Sequence, residues 1–296
     1  TTMVSADTVT TQDVEISGNY TMTGNYTVSH GTTLTIKPGS VVDMQDYWMK
    51  VEGTLVASQS TIMSSVQTTG QGSHNAGVWD GLTIEVGGSA DLDDVTISNG
   101  KTCLMVHGTV DADSLNLEDC LIGAEAHGSL SIDDLDAQHI DHDGVRVSGS
   151  ADISGAYFLD MTGGISSSGT LIMENSQFES VGIGITLSGG SAMLDDAQFN
   201  SGVSVGLSLS NNVSGSVDGL TGTAGDAIHA FACQGITVSD VDMSGQRLVN
   251  SWGAGDLTIQ NVSFTSNSPE TPIDVRTSGT VTLSDIKLNG SFSSMQ

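Results

Sequence analysis

Basic residues are scarce in this chain. Seven Lys and Arg stand against 35 Asp and Glu in 296 residues, for a formal net charge of -28. Binding nucleic acid takes clustered cations to neutralise phosphates, and anionic membrane surfaces ask for the same, so both partner classes are excluded. Aromatics are 4% and prolines number three. No run of 18 apolar residues occurs, so no membrane-spanning helix is expected. Three cysteines, Cys103, Cys120 and Cys233, form no Cys-x-x-Cys motif, which removes zinc-ribbon, thioredoxin-like and c-type haem readings.

What is abundant is turn chemistry. There are 37 glycines and 27 Asp against only 8 Glu, a composition poor in helix formers. Hydrophobic residues still make up 37% of the chain, too many for a disordered acidic polymer. A core is therefore expected, and with so few aromatics it is a thin one.

Internal repeats give that core a shape. Rows of about twenty residues begin at Leu82, Leu104, Ala124, Val145, Ile165, Ile185, Val205, Ile228, Leu248 and Ile273, at spacings of 22, 20, 21, 20, 20, 20, 23, 20 and 25. Each row opens with two apolar residues flanking one other, usually followed by a glycine corner, as in Leu104/Val106 then Gly108. A doublet follows: two apolar residues spaced by one, two polar residues, and two more apolar residues spaced by one. Val110/Ala112/Leu115/Leu117 and Leu257/Ile259/Val262/Phe264 show it, and only the row from Val205 departs clearly.

Alternation of period two marks strands with one buried face. Three short strands per row, joined by tight polar corners, describe one coil of an all-β right-handed parallel β-helix. About twelve coils, stacked at the ~4.8 Å inter-strand spacing, predict a rod of roughly 55 to 60 Å. Columns of the repeat then become physical ladders. Phe158, Phe178 and Phe199 should stack inside. His107 and His127 should stack outside, either as a surface ladder or as a two-imidazole zinc site. Cys103 and Cys120 fall on neighbouring coils, within reach of a disulfide, and Cys233 reads as a small buried hydrophobe. Residues 1–30 do not fit the period and are expected to form a cap or a strand-exchange segment, with the β-helix proper over 31–296. The segment Phe292–Gln296 offers no amphipathic capping helix, so that end is expected to be truncated or stacked on a subunit.

The segment from Tyr26 to Val42, with His30-Gly31-Thr32 and Pro38-Gly39 in it, then Val51-Glu52-Gly53-Thr54-Leu55 and Val78-Trp79-Asp80-Gly81-Leu82, resembles the opening coils of the pectin-lyase-like superfamily of secreted β-helix proteins. The resemblance covers nearly the whole chain. It implies a fold rather than an activity, since that superfamily mixes lyases, hydrolases, epimerases, adhesins and inert surface proteins. For a lyase it implies carboxylates holding calcium beside an Arg or Lys base, and for a hydrolase Asp residues on adjacent coils. The best local match is Asp141-His142-Asp143-Gly144-Val145-Arg146, with Asp133 and Asp134 nearby. As an enzyme the chain would use Asp141, Asp143 and Arg146; as a calcium site it would use Asp133, Asp134, Asp141 and Asp143. The competing reading is a polar corner in which Arg146 answers local acid. The combined polygalacturonase pattern, a consecutive Asp pair followed by a Gly-rich stretch and the His-Gly, is not found, and neither is a basic cluster of the lyase kind.

Asp recurs at one corner of the doublet, at Asp93/Asp94, Asp113, Asp133/Asp134, Asp195/Asp196, Asp240 and Asp285. Two charges 4.8 Å apart repel by about 0.9 kcal/mol even at the dielectric of water. Calcium or monovalent cations bound along this edge, or a solvated acidic face, are the two expectations. Sequons at Asn19, Asn25, Asn212, Asn261 and Asn289 fit a glycosylated cell-surface or extracellular protein. The function these features favour is non-catalytic and structural: a filament or surface-layer subunit, or an adhesin stalk, assembling with copies of itself through coil ends or the N-terminal segment. A polysaccharide-active lyase or glycoside hydrolase is the first alternative. A glycan-binding module is the second, weakened because Trp48, Trp79 and Trp252 share no column.

Overall fold

The computed structural model describes residues 7–66, 78–253, 255–269, 271–276 and 279–290, and every regular element among them is a β-strand. The chain is a parallel β-solenoid of about 13 turns. It divides into two compact units, Thr1–Ile153 and Ser154–Gln296, each built from the same three-sided coil.

The corners explain the composition. In the first unit Gln59, Asp94, Ser114 and Asp134 occupy one corner column, with φ between 42° and 59°. In the second, Asn175, Asp196, Gly219, Asp240, Asn261 and Asp285 do the same, with φ between 51° and 71°. A Cβ resists this left-handed region, and Asp, Asn and Gly tolerate it best. Part of the Asp excess is thus a backbone requirement, met by Asp94, Asp134, Asp196, Asp240 and Asp285 at this corner. A different corner takes glycine in the first unit, at Gly88, Gly108, Gly128 and Gly149. There a Cβ on Gly128 would overlap the carbonyl oxygen of Gly108, and one on Gly108 that of Gly88.

Strands between corners pair in parallel with the next coil, in register. Ala90, Leu92, Val95 and Ile97 lie opposite Val110, Ala112, Leu115 and Leu117, which lie opposite Leu130, Ile132, Leu135 and Ala137. All of these are buried. Trp79 fills the interior of the first unit, fully buried, and its indole Nε1 donates to the carbonyl of Ser98 at 2.9 Å. In the second unit Phe158, Phe178 and Phe199 form the expected internal stack, with centroids 4.9 and 5.3 Å apart.

Three details differ from the sequence expectation. Where it is described, the N-terminal segment joins the stack. Thr8 lies opposite Tyr26, Val14 opposite Leu34 and Asn19 opposite Val41, so residues 8–21 are a coil in their own right. Offsets of 18, 20 and 22 residues within one turn blur the twenty-residue period there. The rows assigned to Val205 and Leu248 start in register at Leu207 and Val249. The doublet that looked lost after Val205 is present as Gly215/Val217/Leu220/Gly222, with glycine at two inward columns opposite Ala192 and Phe199. The Phe292–Gln296 segment lies outside the described residues.

Cys103 and Cys120 are joined by a disulfide in the first unit, Cα to Cα 6.0 Å across 17 residues, and both are buried. Cys233 is free and buried, and burial pushes its thiol pKa up, with Asp256 adding to the effect.

Two outcomes are expected. Gly128→Ala must displace stacked backbone, at a cost of about 1 to 3 kcal/mol, read as a lower Tm; an unchanged Tm would contradict the close approach of the coils. In denaturant, thiol titration should find one reactive cysteine before reduction and three after it. Reduction should lower stability by about 3 kcal/mol, the loop-closure value for a loop of this length.

Candidate functional site

The segment singled out from the sequence does not converge. Asp141, His142, Asp143 and Arg146 all fall within Ser129–Val147, a strand that bends through left-handed residues at Asp134 and His139, and of the four only Asp143 and Arg146 form an ion pair with each other. Arg146 Nε donates to Asp143 Oδ2 at 2.5 Å, so the guanidinium and that carboxylate answer each other, as in the polar reading. Asp133 and Asp134 lie on the acid column instead, exposed, with Asp134 in the left-handed corner. Asp93, Asp113 and Asp133 are in register on successive coils, beside a second column of Asp91 and Asp111. Among the described residues no three His, Cys, Asp or Glu side chains are grouped to hold a metal ion. His107 and His127 stack face to face, centroids 5.0 Å apart and planes 8° apart. Parallel rings do not converge on one ion. His127 instead contacts Ser148 Oγ through Nδ1 at 2.6 Å and Glu125 through Nε2 at 3.1 Å.

Of the sequon asparagines, Asn19, Asn212, Asn261 and Asn289 are exposed. Asn25 is half-buried, and its Oδ1 accepts the backbone N–H of Trp48 at 3.3 Å.

The densest chemistry lies elsewhere, on one face of the second unit. Two neighbouring strands place Asp226 opposite Arg247, His229 opposite Asn250 and Phe231 opposite Trp252. Asp226 is 6% exposed. Arg247 grips it with two hydrogen bonds, Nε to Oδ1 and an Nη to Oδ2, both 2.9 Å. His229 Nε2 reaches Oδ2 at 2.5 Å. Burial by itself works to raise the pKa of Asp226, but the hydrogen bonds from His229 and Arg247 and their charges outweigh it and hold the carboxyl below its ordinary 3.8. A carboxylate held ionised by three donors is an anchor rather than a proton donor. It fixes Arg247 and orients the imidazole of His229.

Asn250 is the next layer outward. Its Nδ2 lies 3.3 Å from His229 Nε2, and its Oδ1 is buried without a hydrogen-bond partner. If His229 Nε2 carries the proton given to Asp226, the amide fits better turned over, with oxygen toward the ring. Either way one end of the Asn250 amide is unmatched. Beyond it Phe231 and Trp252 are 57% and 53% exposed. An open groove of about 150 Å³ runs between these residues and Ser208 and Ser210.

The sequence does not single out this face when exposed aromatics are sought as a column of tryptophans alone, because Trp252 is paired with a phenylalanine. The signal was present in the coil spacing: 226 and 247, 229 and 250, and 231 and 252 are each 21 apart. Trp79, weighed with Trp48 and Trp252 as a surface aromatic, is instead fully buried. No protein-family model matches this chain, and neither a curated protein nor a solved structure does so.

Removing the clamp should expose its contribution. Arg247→Ala leaves a buried carboxylate short of its cation, at a cost of about 2 to 3 kcal/mol, below the fully buried value because Arg247 is part-exposed. Since the folded pKa of Asp226 is depressed, the stabilisation is present above the ordinary value and lost as pH falls through the folded one. Urea midpoints of wild type and variant should therefore differ most above about pH 5 and approach each other in acid. A difference that persists unchanged in acid would show that the pair's charge is not its source.

Proposed function

We propose that this chain is an extracellular structural protein, a self-associating solenoid of the filament, surface-layer or adhesin-stalk kind, and that it belongs to the pectin-lyase-like group of β-helices. The observation that carries the reading is the in-register parallel stacking. Val241, Met243, Val262, Phe264, Ile286 and Leu288 illustrate it, with each coil presenting the same inward columns to the next. A coil edge in such a stack is a template for another strand of the same pattern. Association between copies through coil edges repeats a contact the chain makes with itself at every turn.

Location is supported by the buried Cys103–Cys120 disulfide, a bond that persists in oxidising compartments, and by the exposed sequons. The superfamily assignment rests on the opening coils and on Trp79, whose burial and bond to Ser98 suit a residue that starts the regular stack. Charge makes association conditional. Six of the seven basic side chains, Lys37, Lys50, Lys101, Arg146, Arg247 and Arg276, sit against carboxylates, which leaves the remaining acid to repel between molecules. Calcium or salt is the proposed relief.

Sedimentation and electron microscopy across protein concentration test the reading, in chelator and in millimolar calcium. Growth of oligomers or filaments, enhanced by the cation, is expected. A monomer at every concentration in both buffers would overturn self-association, whatever the result for any ligand.

A further inference from the structure

We infer that the face carrying Phe231 and Trp252 is a binding site for a neutral saccharide, laid across neighbouring coils with a sugar ring on the aromatic pair. This goes beyond the structural role and does not depend on it.

The site has the two halves that a sugar requires. A pyranose offers an apolar face of C–H groups and a rim of hydroxyls, and ligand grooves that take such amphipathic groups combine aromatic surface with a few placed polar atoms. Phe231 and Trp252 are outward side chains in register on adjacent coils, and both are more than half exposed. The Phe231 ring also leans over the corner of the next coil. A Cβ placed on Gly253 would come within 3.3 Å of its Cε2, and Gly253 has φ +63°. Glycine there leaves the ring its room, so the aromatic surface spans two coils.

Along the same strands the polar half follows two residues earlier, at His229 and Asn250, with Ser208 and Ser210 on the coil before. Asn250 is 8% exposed, lines the groove, and has an amide oxygen without a partner. A buried amide with an unmatched end costs about 1 to 3 kcal/mol, and a hydroxyl, donor and acceptor at once, satisfies either orientation of it. His229 is held in place by Asp226, itself clamped by Arg247, so the polar row is preorganised rather than mobile.

Charge selects among sugars. Arg247 is committed to Asp226, Arg276 to Asp274 at 2.9 Å, and the chain carries -28. A polyuronate or sulfated glycan meets repulsion and finds its nearest cations engaged. A neutral oligosaccharide meets neither obstacle.

The test is a titration of the intact protein with cellohexaose, laminarihexaose and mannohexaose, and with hexagalacturonate as the charged counterpart, followed by saturation-transfer NMR and tryptophan fluorescence. At least one neutral hexasaccharide should bind, with saturation transfer concentrated on ring C–H protons, and hexagalacturonate should bind more weakly. Trp252→Ala and Phe231→Ala, both at exposed positions, should keep the wild-type Tm and weaken binding by at least about tenfold. The inference is overturned by the absence of neutral-sugar binding at millimolar concentration, by a preference for hexagalacturonate, or by affinity that survives both substitutions. If Trp252→Ala instead abolishes self-association while no sugar binds, the aromatic pair is a protein contact and the saccharide site is likewise overturned.

Discussion

Parallel pairing in register is the constraint on which everything else in this protein depends. It makes each residue meet its counterpart one coil along at the ~4.8 Å inter-strand spacing, so a choice made at one position is repeated down a column. Inward columns must be apolar and of matched volume, as in Phe158, Phe178 and Phe199. Corner columns must accept a left-handed backbone, as at Asp94, Ser114 and Asp134. Where coils approach most closely, only hydrogen fits, as at Gly108 and Gly128. The odd composition of the chain is the sum of these column rules.

The same repetition that assembles the core is costly on the surface when the repeated residue is charged. Asp93, Asp113 and Asp133 stand in line with nothing basic between them, whereas one column on the second unit sets Arg247 next to Asp226 and closes into a clamp. The contrast separates two uses of Asp. At the left-handed corner, as in Asp94 and Asp134 beside that line, it serves the backbone, and its charge is a by-product to be screened. At Asp226 the carboxylate is buried, paired and holding other side chains in place, and its low pKa follows from that pairing.

Much of the fold was legible because it is periodic. Alternation in Val110/Ala112/Leu115/Leu117 names a strand, a corner and a second strand, and repeating it names the solenoid. Legibility failed where the period stretched. The turn over residues 8–21 varies its offset, and the coil of Gly215 and Gly222 hides its inward positions behind glycine. Site residues were harder for a related reason. Asp141, Asp143 and Arg146 are close in sequence, but only Asp143 and Arg146 pair, and they answer each other instead of facing a common ligand. Asp226 and His229 are separated from Arg247 and Asn250 by a full coil, and the four are joined only once the register is known to the residue. Val205 and Leu248 had been set two and one positions away from it.

That last point bears on how a surface of this kind acquires chemistry. Because the backbone scaffold is the same at every coil, two outward side chains become neighbours whenever they share a column on consecutive coils, with no change of fold. Phe231 and Trp252 need only strands that are already there, and so do His229 and Asn250. The inward columns are bound to uniformity by packing, since a cavity or an extra methylene propagates to the coils on either side. The outward columns are bound only at corners. Binding in such a protein is therefore best sought where an outward column departs from its own habit. Here a polar run of Ser188 and Ser210 gives way to two exposed aromatic rings, at the same pair of coils where a buried carboxylate has recruited an arginine, an imidazole and an amide.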